Sequence, residues 1–392
     1  MLNDDQLKVI NAKEKVIFLL AGAGTGKTTV IVNKVNKILS DKSNKKILLI
    51  TFTKKGVSDL KLRIKTTNKD LLITTFHGLC YQLLADLKPK IVSEEELIKE
   101  GYSRESLRKI DLDKRNYVNS KVLKKYNDYL KKISKVDFND LELLLLQRLK
   151  ENSDFRIMVS ELFDYIFIDE FQDTSLNQYQ LIKYLKRKDN YLFAVGDPDQ
   201  SIYNFRGASD KVILNYLNDF KASKYEMLIN YRSSKIVINK ANKLINYNKR
   251  KLPKKLVSST LIEGGVYTYY FKDETTKINY LVKEIKALVK EETKFNEIAI
   301  LYRNHYLSNK LKSVFYEHYL YDLNLMTIHQ AKGLEFKVVF IIGLNKGILP
   351  LVNSNLEEER RLFYVGITRA KSKVYLLVNL SLPKSRFIKE IK

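Results

Sequence analysis

Short apolar runs rich in β-branched residues alternate with segments of helical period along this chain of 392 residues. Five runs lie in the first half, at residues 16–20, 47–52, 71–75, 165–169 and 191–196. A second series lies at residues 266–271, 298–302, 324–328, 337–342 and 374–378. Strands that alternate with helices form mostly parallel sheets with helices on both faces. The pattern therefore predicts two α/β cores.

A long polar stretch separates the third and fourth predicted strands. It is rich in lysine and helical in period, and its most apolar part runs from Leu141 to Leu149. The segment from Asp137 to Leu141 would cap that helix. We interpret residues 88–146 as an inserted helical domain. Residues 1–87 and 147–225 would then form the first core, and residues 226–392 the second.

Charge and cysteine content narrow the class of protein. The formal net charge is +25 and the isoelectric point is near 9.6. Such a charge attracts polyanions, so nucleic acid is the first candidate partner, although a generally lysine-rich composition would give the same charge. The single cysteine, Cys80, excludes an internal disulfide and is expected to be a small buried residue. Because the N-terminus has no secretion signal and no apolar run is long enough to span a bilayer, we expect a cytoplasmic protein without a membrane partner.

A glycine-rich segment, Ala-Gly-Ala-Gly-Thr-Gly-Lys-Thr-Thr, follows the first predicted strand and precedes a helical pattern. Glycines allow backbone N–H groups to turn toward phosphates, Lys27 can reach the β and γ phosphates, and the Thr28 hydroxyl can bind Mg²⁺. The candidate phosphate contacts are Gly22, Ala23, Gly24, Thr25, Gly26, Lys27, Thr28 and Thr29. The segment predicts a site for ATP and Mg²⁺.

Two carboxylates, Asp169 and Glu170, end the apolar strand that begins at Tyr165. A strand of this kind can deliver an acid to the Mg²⁺ at a phosphate loop, and Asp169 would support the metal. Glu170 would orient and polarise the water that attacks the γ phosphate. The pair therefore predicts ATP hydrolysis as well as ATP binding.

The acidic segment Ile-Asp-Glu-Phe-Gln-Asp, residues 168–173, resembles the corresponding motif of superfamily I helicases of the UvrD/Rep type. Further segments resemble the other motifs of that family in the same order, at residues 2–6, 49–56, 74–78, 195–208, 230–234, 327–336 and 359–370. The resemblance implies an α/β fold with two RecA-like P-loop domains and parallel sheets. It also implies an ATP-dependent DNA helicase that moves 3′ to 5′.

The resemblance assigns nucleotide contacts outside the phosphate loop. Gln6 would read the adenine edge, Tyr231 would stack on the adenine, and Glu335 would contact the ribose. Residues implied to act at the γ phosphate are Gln200 as its sensor, Arg232 as a contact and Arg369 as the arginine finger.

Contacts with single-stranded DNA are also implied by the resemblance. Aromatic side chains can stack on bases of any sequence, at about 1–3 kcal/mol per base. The implied contacts are Phe52, Thr53, His77, Tyr203, Phe205, Arg206, Thr327 and His329. For Phe52, packing in the core is the more common fate of a phenylalanine beside a strand. Because Gln200 and Arg206 share one segment, we expect that segment to couple nucleotide chemistry to DNA movement.

One departure from the family pattern affects the predicted activity. The family inserts a second accessory domain before the motif that begins at Thr327, whereas residues 304–325 leave room only for a helix and a turn. We expect a compact motor that binds single strands and single/double-strand junctions, with replication or repair partner proteins unidentified. An ATP-gated translocase or protein-displacing module that does not unwind duplexes is the main alternative. A P-loop phosphotransferase is a weaker one, and RNA in place of DNA stays open.

Overall fold

The structure, a computed structural model, describes residues 2–40, 44–64, 70–115, 118–203 and 210–392. Contacts divide the chain into two compact units. The first comprises the described parts of Met1–Leu20, Lys27–Asp197 and Tyr203–Glu226. The second comprises the described parts of Ala21–Gly26, Pro198–Ile202 and Met227–Lys392.

The first part of the chain supplies one sheet and most of the helices. Its strands are β1 Val16–Ala21, β2 Ile47–Ile50, β3 Leu71–Thr74, β4 Tyr165–Ile168, β5 Tyr191–Gly196 and β6 Ser223–Met227. Its helices are α1 Asp4–Asn11, α2 Lys27–Ser40, α3 Lys54–Ile64, α4 Phe76–Leu83, α5 Glu94–Lys99, α6 Arg104–Arg115, α7 Lys121–Lys132, α8 Phe138–Glu151, α9 Ser153–Glu161, α10 Leu176–Leu185 and α11 Asp210–Asp219.

Within the described ranges, the first sheet has six strands in the order β3-β2-β4-β5-β1-β6. Strands β1 to β5 pair in parallel, and their carboxyl ends lie at one edge because Leu20 pairs with Gly196 and Ile50 pairs with Ile168 and Thr74. Strands β1, β2 and β5 are almost wholly buried, which explains their continuous apolar sequence. The five strands predicted in this half are confirmed, and β6 was not predicted.

Helices α5, α6 and α7 enclose a small hydrophobic cluster of their own, formed by Val92, Leu97, Ile110, Leu123, Tyr126 and Leu130. Helix α8 begins after Asp137, whose side chain accepts a hydrogen bond from the Asp140 backbone nitrogen at 2.9 Å. The cap therefore lies in the predicted segment, but the helix begins at Phe138 and not at Leu141. This helix packs against α4, α9 and α10. The limits of the inserted helical domain, residues 88–146, stay a prediction.

The second unit carries the other large sheet. Its strands are β7 Ile229–Asn230, β8 Val257–Ser258, β9 Gly265–Phe271, β10 Ile298–Tyr302, β11 Asn324–Thr327, β12 Phe336–Ile342 and β13 Ala370–Asn379. Its helices are α12 Lys235–Ile245, α13 Glu274–Lys290, α14 Asn309–Glu317, α15 Leu356–Ile367 and α16 Phe387–Glu390. The five strands predicted in this half are confirmed as β9 to β13, whereas the small pair β7 and β8 was not predicted.

Five of these strands form a parallel sheet in the order β11-β10-β12-β13-β9 over the residues that the structure describes. Thr327 lies at the carboxyl end of β11, where it pairs with Tyr302. Glu335 and Arg369 directly precede the amino ends of β12 and β13, where Phe336 pairs with Ala370. The sheet therefore separates the predicted DNA contact from these predicted nucleotide contacts.

Among the helices of the described ranges, none is both long enough and apolar enough to cross a membrane.

Candidate functional site

The glycine-rich loop has the backbone conformation that its sequence predicts. Gly24 and Gly26 have φ angles of 66° and 87°, in the left-handed region that favours glycine. Thr25 is buried and its hydroxyl donates a hydrogen bond to the Gly22 carbonyl at 3.0 Å. Helix α2 begins directly afterwards at Lys27, and a helix N-terminus presents unpaired N–H groups and a positive dipole to anions. The loop therefore fits the phosphates of a nucleotide.

Asn230, for which no role was predicted, binds a carbonyl group of this loop. Its side-chain nitrogen donates to the Ala23 carbonyl at 2.6 Å, and the backbone nitrogen of Tyr231 donates to the Gly24 carbonyl at 2.9 Å. The side-chain oxygen of Asn230 accepts from the Arg232 backbone nitrogen at 2.9 Å. A Cβ atom at Gly24 would lie 2.6 Å from the Asn230 nitrogen, so only glycine fits there. Tyr231 itself is exposed.

Glu170 stands directly beyond β4 in a strained conformation. Its φ angle is 51°, which is uncommon for a residue other than glycine. One carboxylate oxygen lies 3.7 Å from the Lys27 ammonium nitrogen and accepts a hydrogen bond from the Gln172 side chain. The Glu170 backbone nitrogen donates to Asp169 at 2.9 Å. The structure thus brings the predicted hydrolytic acid to the predicted phosphate-binding lysine.

Gln172 is a further residue of this acidic segment, and it had no predicted role. It is buried, and its side-chain oxygen accepts a hydrogen bond from the Asp197 backbone nitrogen at 2.9 Å. Its amide nitrogen reaches Glu170, so one side chain ties the acid to the end of β5. A carboxamide can donate and accept hydrogen bonds at once, and this property is all that the sequence offers to predict the bridging role of Gln172.

Oxygen donors suited to Mg²⁺ occur in the first turn of α2 and after β4. Thr28 and Asp169 are both partly buried. A hydroxyl and a carboxylate are hard oxygen ligands of the kind that Mg²⁺ prefers. The residues present therefore fit the metal that the sequence predicts.

Arg232 and Glu335 form an ion pair in the second unit. The Arg232 Nε atom donates to Glu335 at 2.8 Å, and the Lys371 ammonium nitrogen lies 2.8 Å from the other carboxylate oxygen. Burial alone would raise the pKa of Glu335, but the hydrogen bond from Lys371 and the charge of Arg232 outweigh it and lower that pKa. The predicted γ-phosphate contact and the predicted ribose contact are therefore neighbours.

Gln200 and Arg369, which lie far apart in the sequence, meet within the second unit. An Nη atom of Arg369 donates to the Gln200 side-chain oxygen at 3.1 Å, and Lys332 donates to the Gln200 carbonyl at 2.8 Å. Arg369 is only 2% exposed and also donates to the carbonyls of Val365 and Leu334 at 3.0 and 3.2 Å. The predicted sensor and the predicted arginine finger are thus joined by a direct hydrogen bond.

Two predicted DNA contacts form a ring stack in the first unit. The rings of Phe52 and Tyr203 are 5.0 Å apart between centroids and inclined by 24°. Both side chains are partly exposed, so the expectation that Phe52 belongs in the core is not met. Thr53 is exposed beside Phe52. The predicted contacts Phe205 and Arg206 lie outside the described residues.

His77 contacts the aromatic ring of Phe138, which was not among the predicted DNA contacts. Its ring lies 5.0 Å from that of Phe138, which is 48% exposed at the first turn of α8. The His77 Nε2 atom is 3.1 Å from a carboxylate oxygen of the buried Glu142, which also accepts a hydrogen bond from Gln178 at 2.7 Å. Cys80 is buried nearby in α4 as expected, and burial raises the pKa of its thiol.

Two other predicted contacts, Gln6 and Thr327, already have local hydrogen bonds. The Gln6 side chain accepts from the Asn3 backbone nitrogen at 3.0 Å in a capping box at the start of α1. Thr327 is buried, and its hydroxyl lies 3.1 Å from the side-chain oxygen of Gln330. His329 is partly exposed two residues farther on. The individual roles assigned to these residues stay predictions.

Two family models match the chain in sequence order. The UvrD/REP helicase N-terminal domain matches residues 2–111 and 90–221. The UvrD-like helicase C-terminal domain matches residues 225–321 and 316–381. The chain belongs to the UvrD/Rep helicase family. The predicted family is therefore confirmed, and its members are ATP-dependent DNA helicases. The predicted α/β fold with two RecA-like domains is confirmed by the two matched domains and the two parallel sheets.

Curated relatives in the UvrD/Rep family agree with this assignment. A probable DNA helicase of Mycoplasma pneumoniae is 31% identical over 466 aligned residues, which take in 100% of this chain and 87% of the relative. A probable DNA helicase II homolog of Mycoplasma capricolum is 30% identical over 77% of this chain and 49% of the relative. The ATP-dependent DNA helicase PcrA of Staphylococcus epidermidis is 29% identical over 80% and 49%. The chain thus spans about half the length of the last two relatives.

Proposed function

We propose that this chain hydrolyses ATP to move 3′ to 5′ along single-stranded DNA and to separate duplex strands. One observation carries the proposal. Gln200 is hydrogen-bonded to Arg369, and Tyr203, only three residues farther along the chain, stacks on Phe52. A short stretch of backbone therefore joins a γ-phosphate sensor to an aromatic platform for bases. The direction of movement rests on the resemblance to the UvrD/Rep family alone.

ATP hydrolysis would use the groups at the phosphate loop and the end of β4. The loop N–H groups and Lys27 would bind the phosphates, and Glu170 would orient the attacking water. Gln172 keeps the Glu170 carboxylate in place through its amide group. Thr28 and Asp169 would hold Mg²⁺, which neutralises charge on the phosphoryl oxygens when it is bound. Arg369 would stabilise the charge that develops on the transferred phosphoryl group.

Single-stranded DNA fits the aromatic and basic character of the chain. The ring pair of Phe52 and Tyr203 and the ring of Phe138 against His77 offer faces that can stack on bases of any sequence. A formal net charge of +25 would attract the phosphate backbone and make binding depend on salt. Junctions between single and double strands are the proposed substrate because a motor on the single strand meets the duplex there.

A translocase that displaces proteins without unwinding duplexes is the second candidate. The short connection between β10 and β11 favours it, because one turn of 3-10 helix and the short α14 are the only helices assigned among these described residues. A second accessory domain at this point would add contacts to duplex DNA. Without those contacts, movement on the single strand can persist while strand separation is weak.

ATP turnover with and without single-stranded DNA tests the proposal. We expect strong stimulation by DNA in the unmodified chain and loss of turnover in Glu170→Gln, because an amide cannot act as the base or polarise water in the same way. Glu161→Gln, at the exposed end of α9, is the matched control and should behave like the unmodified chain. Turnover that ignores DNA, or that survives Glu170→Gln, would overturn the proposed function.

Strand separation is then measured on duplexes with a 3′ or a 5′ single-stranded tail. Unwinding of the 3′-tailed duplex alone supports the proposed helicase and its direction. Displacement of a protein block from single-stranded DNA without unwinding of either duplex supports the translocase. Parallel assays on RNA of the same sequence decide which nucleic acid the chain uses.

A further inference from the structure

Asp199 is a buried carboxylate beside Gln200 in the short turn Pro198–Gln200. Its side chain is 4% exposed and contacts two cations of the second unit. One is the Lys254 ammonium group, which is 1% exposed, and the other is an Nη atom of Arg250 at 3.3 Å. Charged groups removed from water are costly unless they are paired. The cluster of Asp199, Arg250 and Lys254, which we call the turn anchor, therefore fixes the turn that carries Gln200.

The two cations belong to a segment that is itself held firmly. Arg250 donates to the Lys254 carbonyl at 2.8 Å and to the side chain of Asn246. Asn242 of α12 donates to the Leu256 carbonyl at 2.8 Å and accepts from the Leu256 backbone nitrogen at 3.1 Å. Lys254 is thus placed by contacts on both sides of it.

The same segment touches the glycine-rich loop. Leu256 packs with Ala23 and Ile238 in a small buried cluster. A Cβ atom at Gly22 would lie 2.2 Å from a methyl carbon of Leu256, so the loop and the segment are in close contact. Lys254 lies only two residues before Leu256, and the segment therefore joins the phosphate loop to the turn that carries Gln200.

We propose that Arg250 and Lys254 are positioning residues, which act through Asp199 to keep the Gln200 side chain in reach of Arg369. This inference rests on the proposed function, because it concerns how DNA-stimulated turnover is set up. Loss of the turn anchor would leave the groups that bind ATP in place but would displace the sensor. A displacement of about 1 Å can slow a reaction by a factor of about 100.

A purely structural role for the turn anchor makes a different prediction. Replacement of a buried ion pair by apolar groups of similar size is often neutral for stability, whereas removal of one charge leaves the other unpaired. A structural role would therefore lower the melting temperature and both basal and stimulated turnover in proportion. A positioning role would lower the stimulated turnover selectively.

The test measures kcat and KM for ATP in the full chain with and without single-stranded DNA. For Lys254→Met, we expect the DNA-stimulated kcat to fall by about 10- to 100-fold, with basal kcat and the KM for ATP within about twofold of the unmodified chain. Lys254→Arg keeps the charge and should recover most of the stimulation. Lys255→Met, at the exposed neighbouring position, is the matched control and should change nothing.

Asp199→Asn is the second variant, since it keeps the size of the side chain and serves if Lys254→Met does not fold. It should show the same selective loss. Full stimulation in a folded Lys254→Met or Asp199→Asn variant would overturn the inference, and so would equal losses of basal and stimulated turnover. Absence of stimulation in the unmodified chain would instead overturn the proposed function, so the two failures can be told apart.

Discussion

Removal of the Tyr203 ring is the most direct test of the proposed base platform. The rings of Phe52 and Tyr203 are nearly parallel at 5.0 Å, and both are partly exposed. Tyr203→Ala removes one face of this stack, whereas Tyr203→Phe keeps the ring and loses only the hydroxyl. We expect the alanine variant to bind single-stranded DNA more weakly and the phenylalanine variant to bind almost normally.

The size of the effect follows from the energy of base stacking. One stacked base contributes about 1–3 kcal/mol, which corresponds to a dissociation constant raised about 5- to 150-fold. The lost contact between the two rings costs the fold about 0.5–1.5 kcal/mol, because aromatic pairs contribute that much beyond their buried area. The variant should therefore stay folded, and a thermal unfolding curve checks this. Phe52→Ala should show a loss of similar size, and the double variant should lose less than the sum because the rings act as one platform.

Fluorescence anisotropy with labelled oligonucleotides gives the dissociation constants at one fixed salt concentration. Oligonucleotides of different single bases should all show the loss, because stacking does not read sequence. A strand that lacks bases at its central positions should bind the unmodified chain and the Tyr203→Ala variant equally. The reasoning is refuted if Tyr203→Ala binds like the unmodified chain, or if the strand without bases shows the same loss.

Three further predictions concern other residues of the site. Gly24→Ala should abolish ATP binding in a calorimetric titration, because a left-handed backbone costs alanine about 1–2 kcal/mol and the new Cβ atom would lie 2.6 Å from the Asn230 side chain. Gly101→Ala is the control and should still bind ATP, because Gly101 also has a left-handed φ, of 95°, but has open space around it. Phe138→Ala should weaken single-strand binding about fivefold or more without loss of stability, since its ring is half exposed. A dissociation constant from anisotropy equal to that of the unmodified chain would show that Phe138 does not stack on bases. The folded-state pKa of Glu335 is lowered, so its ion pairs contribute stability above the ordinary pKa and lose it as pH falls through the lower value. Glu335→Gln should thus lower the free energy of unfolding, measured with urea, by a constant amount between about pH 5 and 9, and this difference should vanish well below about pH 4. A difference that grows from about pH 5 to 9 would contradict the lowered pKa of Glu335.

Strand prediction succeeded where burial on both faces leaves a continuous apolar run. All six residues of β5 are buried, for example, and its sequence from Tyr191 to Gly196 is apolar throughout. Strand β6 was missed because Lys224 and Glu226 interrupt it and form an ion pair with each other at the sheet edge. Strands β7 and β8 are two residues long each, too short to show any period.

Local sequence predicts the conformation of the loop and the placement of the acids, whereas the roles of these residues stay predictions. The glycine-rich loop and the acids after β4 depend on neighbours in the chain, so their pattern predicts their conformation. Asn230 was missed because its partner Ala23 is 207 residues away, and an asparagine at the end of a two-residue strand carries no chemical signal of its own. The contact of Lys254 with Asp199 spans 55 residues and was invisible for the same reason. Pairings of this kind are decided by tertiary packing.

The connection between β10 and β11 is a place where the chain can accept inserted sequence. The two strands pair directly, Tyr302 opposite Thr327, and α14 is the one α-helix between them among the described residues. The pairing depends on the strands and on the buried face of α14, and not on the length or sequence of the exposed turn around Tyr319. Each doubling of a flexible loop costs only about 0.6 kcal/mol in closure entropy. The turn is therefore a tolerant point for insertion, where a whole folded module or a reporter protein can enter or leave while the second sheet keeps its register.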